Sequence, residues 1–242
     1  MDRLSDLERF YSILEVLKDR LNGPHTLELC HGRMMWPKRG VYFFFEPGQS
    51  CSNETNRLRV VRVGTHALKA GSRSTLWQRL SQHRGTKLGG GNHRGSIFRL
   101  LVGESIMRCG LFEESVSWGI GSDASKAANR LSHSREQVIN CEFALEQAVS
   151  RHIRSMPFLW IKIDDEPGPQ SHRGYIERNC IALLSNFSKT PIHEPSSSWL
   201  GLKCGRTRVC ASGLWNNNHI DANYDPEFLP HLERFVGLTD LV

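Results

Sequence analysis

GVYFFF at residues 40–45 and LRVVRVG at residues 58–64 are the two stretches that decide the fold. Both are short runs of β-branched and aromatic residues, which suit a pleated surface that is at least half buried. Between them lies EPGQSCSNETNR (46–57), polar and rich in turn formers, so the runs are expected to pair as antiparallel strands across a long hairpin loop. A third strand is expected in PFLWIKID at 157–164, an apolar run closed by the turn sequence EPGPQSHRG.

Helices are expected around these strands. Residues 6–21 place Leu7, Phe10, Leu14 and Leu17 on one face, with acids early and bases late as the helix dipole favours. Residues 74–82 offer Ser74 or Thr75 as N-cap and set Leu76 and Leu80 four apart. Residues 138–153 return to helical spacing through Cys141, Leu145 and Ala148, and residues 175–187 read as an apolar helix. TKLGGGNHR (86–94) predicts a mobile surface loop, and residues 119–134, which lack apolar periodicity, a loop or insertion. The tail from Pro191 is rich in Pro, Ser, Gly and Asn, patterned only in SGLWNNNHI and EFLPHLERFV. The sum is a single α/β (α+β) domain: a small central antiparallel sheet flanked by helices, with an N-terminal helical extension (1–39), a core (40–187) and a C-terminal segment (188–242) packed on that core.

Composition narrows the function classes. At 242 residues the chain can bury a sizeable core unaided. It is 39% apolar, yet no apolar run approaches the roughly 20 residues of a membrane-spanning helix. The first 21 residues mix both charge signs and have no apolar core of the kind a signal peptide needs. Seven scattered cysteines without a C-x-x-C pair argue against a disulfide framework, so reduced thiols and a cytoplasmic setting are expected. Cys204 and Cys210, near His193 and His219, are not at a usual zinc spacing. The glycines at 89–91 precede no G-K-[ST], so they are not a phosphate-cradling loop. A net charge of +6 suits a polyanionic partner, because Lys and Arg that neutralise phosphates release condensed counterions.

Some residues stand out chemically. Arg79 and His83 are four apart and share one helix face. Glu177 shares a stripe with Cys180, Ile181 and Leu184, which puts a carboxylate on a face that should be buried; such a group is costly unless paired or metal-bound. Tyr42, in an aromatic strand, would ordinarily be core.

Taken in order, a strand carrying Gly40-Val41-Tyr42, a strand ending Val63-Gly64, a helix with Arg79 and His83 and a late helix bearing Glu177 resemble the GIY-YIG nuclease domain, over residues 40–186 in discontinuous pieces. The resemblance implies metal-dependent endonucleolytic cleavage of nucleic acid, DNA before RNA, and the large insertions look like the restriction-type branch, hence genome defence. It implies roles as well: Tyr42 to activate the attacking water, Arg79 to stabilise the transition state, His83 as proton shuttle, and Glu177 to bind Mg²⁺ or Mn²⁺ through a hard oxygen ligand. The family's second tyrosine is replaced here by Arg62, which can grip a phosphate but cannot accept a proton as a phenolate would. The family's downstream asparagine falls on either Asn186 or Asn218. Arg84, Lys87, His93, Arg94 and Arg99 are expected to form one wall of a nucleic-acid groove. A homodimer is what double-strand cutting of a palindrome would require. Two rival readings stay open: a binding module that lost catalysis with the second tyrosine, and an RNA-cleaving effector.

Overall fold

The computed structural model describes residues 2–52, 54–110, 112 and 115–239, excluding the side chain of residue 55. Helix α1 (Arg3–Arg20) is followed by a two-residue strand β1 (His25–Thr26), then by β2 (Gly40–Cys51) and β3 (Glu54–Gly64). Next come α2 (Leu76–Arg84), α3 (Ile97–Arg108), α4 (Ala124–Leu131) and α5 (Arg135–Ser155), strand β4 (Pro157–Lys162), α6 (His172–Leu184), α7 (Thr207–Ser212) and α8 (Phe228–Gly237). The sheet order is β1-β4-β2-β3, antiparallel throughout, so the fold is α+β with a four-stranded sheet.

β2 lies between β4 and β3 and is covered on both faces, which is why residues 40–45 read as a continuous apolar run rather than an alternating one. Phe43 meets Phe10 of α1 on one face, while Tyr42 and Phe44 meet His83 of α2 and Phe98 of α3 on the other. One core cluster runs from Leu7 to Val236, and the chain ends meet: Arg9 of α1 pairs with Glu233 of α8 at 3.1 Å.

The structure corrects several expectations. Residues 46–57 are not a long loop: β2 and β3 run to Cys51 and from Glu54, with register shifts that bend the ladder. Asn53, within that stretch, lies outside the described residues. Residues 124–131 are helical; Asp123 caps α4, which buries only Ala127 and Ala128 against Val138, too little apolar bulk to print a periodicity. α2 is capped by Thr75 with Gln78 in a reciprocal capping box and stops at Gly85, φ 78°. In the tail, the Trp215 N–H donates to the Val61 carbonyl at 2.7 Å, and the Asn216 amide brackets Val63, accepting its N–H at 3.1 Å and donating to its C=O at 2.8 Å. This part of SGLWNNNHI therefore covers the outer edge of β3.

Candidate active site

Tyr42 and Gly64 are directly paired across β2 and β3. A Cβ at Gly64 would fall onto the Tyr42 phenol, so only glycine lets the ring lie across the neighbouring strand. The phenol oxygen lies 2.8 Å from His83 Nε2, and His83 Nδ1 lies 2.9 Å from Ser96 Oγ, the N-cap hydroxyl of α3. His83 is fully buried; burial first, then the charges of Arg79, Arg62 and Arg99, hold its pKa well below the usual range, so the ring is neutral.

Arg62 pairs with Phe44 and so shares the face of Tyr42 and Gly64. Its guanidinium donates to the Trp215 carbonyl and lies 4.8 Å from the centre of the Phe98 ring. Burial lowers its pKa, while the neighbouring Tyr42 and Glu177 oppose that shift. A charged guanidinium therefore lies on the same sheet face as the Tyr42 phenol. Arg79 sits at the rim, half-buried, donating to Gly95 O at 3.1 Å and Gln82 Oε1 at 3.0 Å; its charge reaches His83, Arg62 and Glu177.

Glu177 approaches from α6. Its Oε1 accepts the Thr65 N–H at 3.1 Å, and the Thr65 hydroxyl donates to Gly40 O at 2.7 Å, which ties the end of β3 to the start of β2. Burial pushes the carboxyl up to about 7 against the pull of Arg62, the Thr65 N–H, Arg79 and Arg173. Arg173, whose charge acts on Glu177, is itself paired with Asp165. Glu177 also lines a cleft of about 640 Å³ together with Leu68, His172, Tyr175, Arg178 and His231. A carboxylate whose charge burial disfavours, at the wall of an open cleft, fits a hard divalent cation that retains most of its waters and compensates that charge. Glu177 is the carboxylate that would hold such a cation; among the described residues no group of three or more His, Cys, Asp or Glu is placed to hold a metal.

A GIY-YIG domain model matches residues 1–241. The chain belongs to the GIY-YIG family. The family's domain is that of a nuclease, generally metal-dependent, and in this GIY-YIG chain the match takes in α1 and α8 as well as the strands that carry Tyr42 and Arg62. No curated protein and no solved structure matches the chain.

The remaining sequence candidates are placed otherwise. Asn186 Oδ1 accepts from Arg3 and from the Ile192 N–H, both at 2.9 Å, which locks the end of α6 to the N-terminus. Asn218 is exposed, two residues beyond the Asn216 that brackets Val63. The basic wall is corrected for three of its five members. Arg99 is fully buried and bound to Glu146, His93 is buried with Nδ1 2.9 Å from the same carboxylate, and Arg94 makes a two-bond pair with Glu142 at 2.7 and 2.6 Å. Their polar groups are committed inside the protein. Arg84 is half-buried with Nε on Leu27 O at 2.9 Å, and Lys87 is exposed. The glycine-rich segment is a surface loop with Thr86, Lys87, Leu88, Gly91 and Asn92 exposed, anchored by buried Gly90 and His93; a Cβ at Gly91 would overlap the Arg99 guanidinium.

Sequence reading missed Ser96, Thr65 and His66. His66 is buried with Nε2 unpaired, and burial, then Arg173, lowers its pKa to about 4. The one signal for it was its place two residues after Gly64 in RVGTH.

Proposed function

We propose that the protein is a metal-dependent endonuclease that hydrolyses phosphodiester bonds, with DNA as its substrate and genome defence or restriction as its setting. One observation carries this reading: the Tyr42 and His83 pair, the Arg62 guanidinium and the Glu177 carboxylate act on one another electrostatically at the joined ends of β2 and β3. Tyr42, its phenolic proton passed to His83 Nε2 2.8 Å away, takes the proton of the attacking water as the phenolate. Arg62 and Arg79 supply positive charge where the phosphate gains negative charge in the transition state. Glu177 would hold Mg²⁺ or Mn²⁺, which when bound neutralises phosphate charge and orients the scissile group. The net charge of +6 supports a nucleic-acid partner.

The test is incubation of the protein and its Glu177→Ala variant with supercoiled plasmid, single-stranded DNA and single-stranded RNA of matched sequence, with Mg²⁺, Mn²⁺ or EDTA. Metal-dependent nicking of DNA that disappears in the variant is expected. Cleavage of RNA alone would make the protein an RNA-cleaving effector. A second reading, a binding module without catalysis, draws on Arg62, whose guanidinium already serves the Trp215 carbonyl. It predicts salt-sensitive DNA binding and no cleavage with either metal.

A further inference from the structure

We propose that the cleft beside Glu177 is a base-stacking platform, on which the strand to be cut lays an unpaired nucleotide against the rings of His172 and His231. The inference rests on the nuclease reading for its substrate class and adds the form that the substrate takes.

His172, Tyr175 and Arg178 lie three apart in α6 and so share one helix face. From α8, His231 comes against that face. Its ring centre lies 6.4 Å from that of His172, with the planes 27° apart, and 5.9 Å from that of Tyr175, met edge-on at 86°. Phe235, one turn further along α8, backs the His172 ring at 5.6 Å. The Arg178 guanidinium stands 5.9 Å from the centre of the Tyr175 ring, and the Tyr175 hydroxyl donates to Asp225 at 2.8 Å, which pins that ring. The rings thus hold one another in place without a ligand.

His172, Arg178 and His231 are nonetheless exposed, and with half-buried Tyr175 they line the same cleft of about 640 Å³ as Glu177. Pockets of about 300–1,000 Å³ enclose small molecules, so the cleft admits a nucleotide but not a duplex.

What the cleft offers is ring faces and one fixed cation. Among the described residues lining it, Glu177 is the one carboxylate and Arg178 the one Lys or Arg. A groove that tracks a duplex backbone needs a row of such cations. Two of those expected to form that row are spent inside the protein, Arg99 on Glu146 and Arg94 on Glu142. Ring faces are matched instead by the faces of bases, and a base shows its face only where it is unpaired and unstacked. Arg178, which pairs with no carboxylate among the described residues, is left to meet the phosphate of that nucleotide.

The experiment is fluorescence anisotropy of the full chain in EDTA, with three labelled oligonucleotides of one sequence: single-stranded, fully paired, and paired with one bulged nucleotide. The bulged and paired forms carry nearly the same charge density, so their ratio reads the unpaired base. Stacking on an aromatic side chain is worth about 5- to 150-fold in affinity per base, and the wild type is expected to favour the bulged and single-stranded forms by a factor in that range. The preference should shrink toward one in His231→Ala and in His172→Ala. It should survive in His231→Phe, which keeps the ring face and loses the ring nitrogens. Both histidines are exposed, so the variants are expected to keep the wild-type unfolding midpoint. Equal affinity of the wild type for the bulged and paired forms overturns the proposal, as do alanine variants that keep the preference or a phenylalanine variant that loses it. The same oligonucleotides with Mg²⁺ or Mn²⁺ separate the two readings. A preference without cutting under either metal leaves the platform standing and removes the nuclease reading, whereas cutting of the paired form without a preference does the reverse.

Discussion

The Tyr42 phenol lies in the space that a side chain at Gly64 would need, so the glycine of the second motif exists for the tyrosine of the first. Their cross-strand pairing makes the two motifs one structural unit.

Gly64→Ala is therefore expected to push the phenol off its bond with His83. Forcing a methyl group into a packed site costs about 1–3 kcal/mol. Displacing a catalytic group by an ångström can cost about 100-fold in rate. Thermal denaturation and plasmid nicking measured on the same preparation should show a modest loss of stability beside a large loss of cleavage. An alanine variant that cuts like wild type would remove Tyr42 from the mechanism.

Tyr42→Phe keeps the ring and deletes the oxygen. Cleavage should fall by about 10²–10⁴-fold, the usual contribution of a proton-transfer group. The bond to buried His83 disappears as well, leaving that ring short of a partner at about 1–3 kcal/mol. DNA affinity at fixed salt is expected to stay as it was, and a matching drop in affinity would count against a chemical role.

Glu177 titrates near 7 because burial penalises its charged form. An unfolded glutamate ionises near 4.3, so the folded state binds a proton more tightly than the unfolded one. Stability from this group is full below the unfolded value and is lost as pH rises through about 7. Without metal, thermal stability should decline across pH 5 to 8 by a component that Glu177→Gln abolishes. Binding of Mg²⁺ needs the carboxylate, so below about 7 it should release a proton, and affinity should rise with pH and level off above that point. Calorimetry in two buffers of different ionisation enthalpy reads that proton directly; its absence would mean that the metal binds elsewhere.

Arg99 and Glu146 form a buried ion pair, and losing one partner of such a pair typically costs about 3–5 kcal/mol. Burial raises the Glu146 pKa, but the hydrogen bond from His93 and the charge of Arg99 outweigh it, so the net shift is downward. Its stabilising contribution is present at neutral pH and disappears as pH falls through the folded value. Arg99→Met should lower the unfolding midpoint steeply, whereas exposed Lys87→Ala should leave it alone and weaken DNA binding more at low salt than at high. Equal stability of the two variants would show that the buried pair contributes little.

The sequence by itself determined the strands around GVYFFF and RVVRVG, the capped helix that presents Arg79 and His83, and the carboxylate of Glu177 among apolar neighbours. These are local patterns, written in the period of side chains along one element. It could not show where a basic residue's charge is spent, and so Arg94 and Arg99 read as surface cations when each faces a glutamate about 47 residues away in the chain. Nor could it reveal that Asn216 and Trp215 close the edge of β3, or that Ser96 faces His83 across 13 positions. Those relationships arise only when distant elements pack, because a buried polar group takes whichever partner the tertiary fold brings within about 3 Å, and sequence spacing carries no record of that choice.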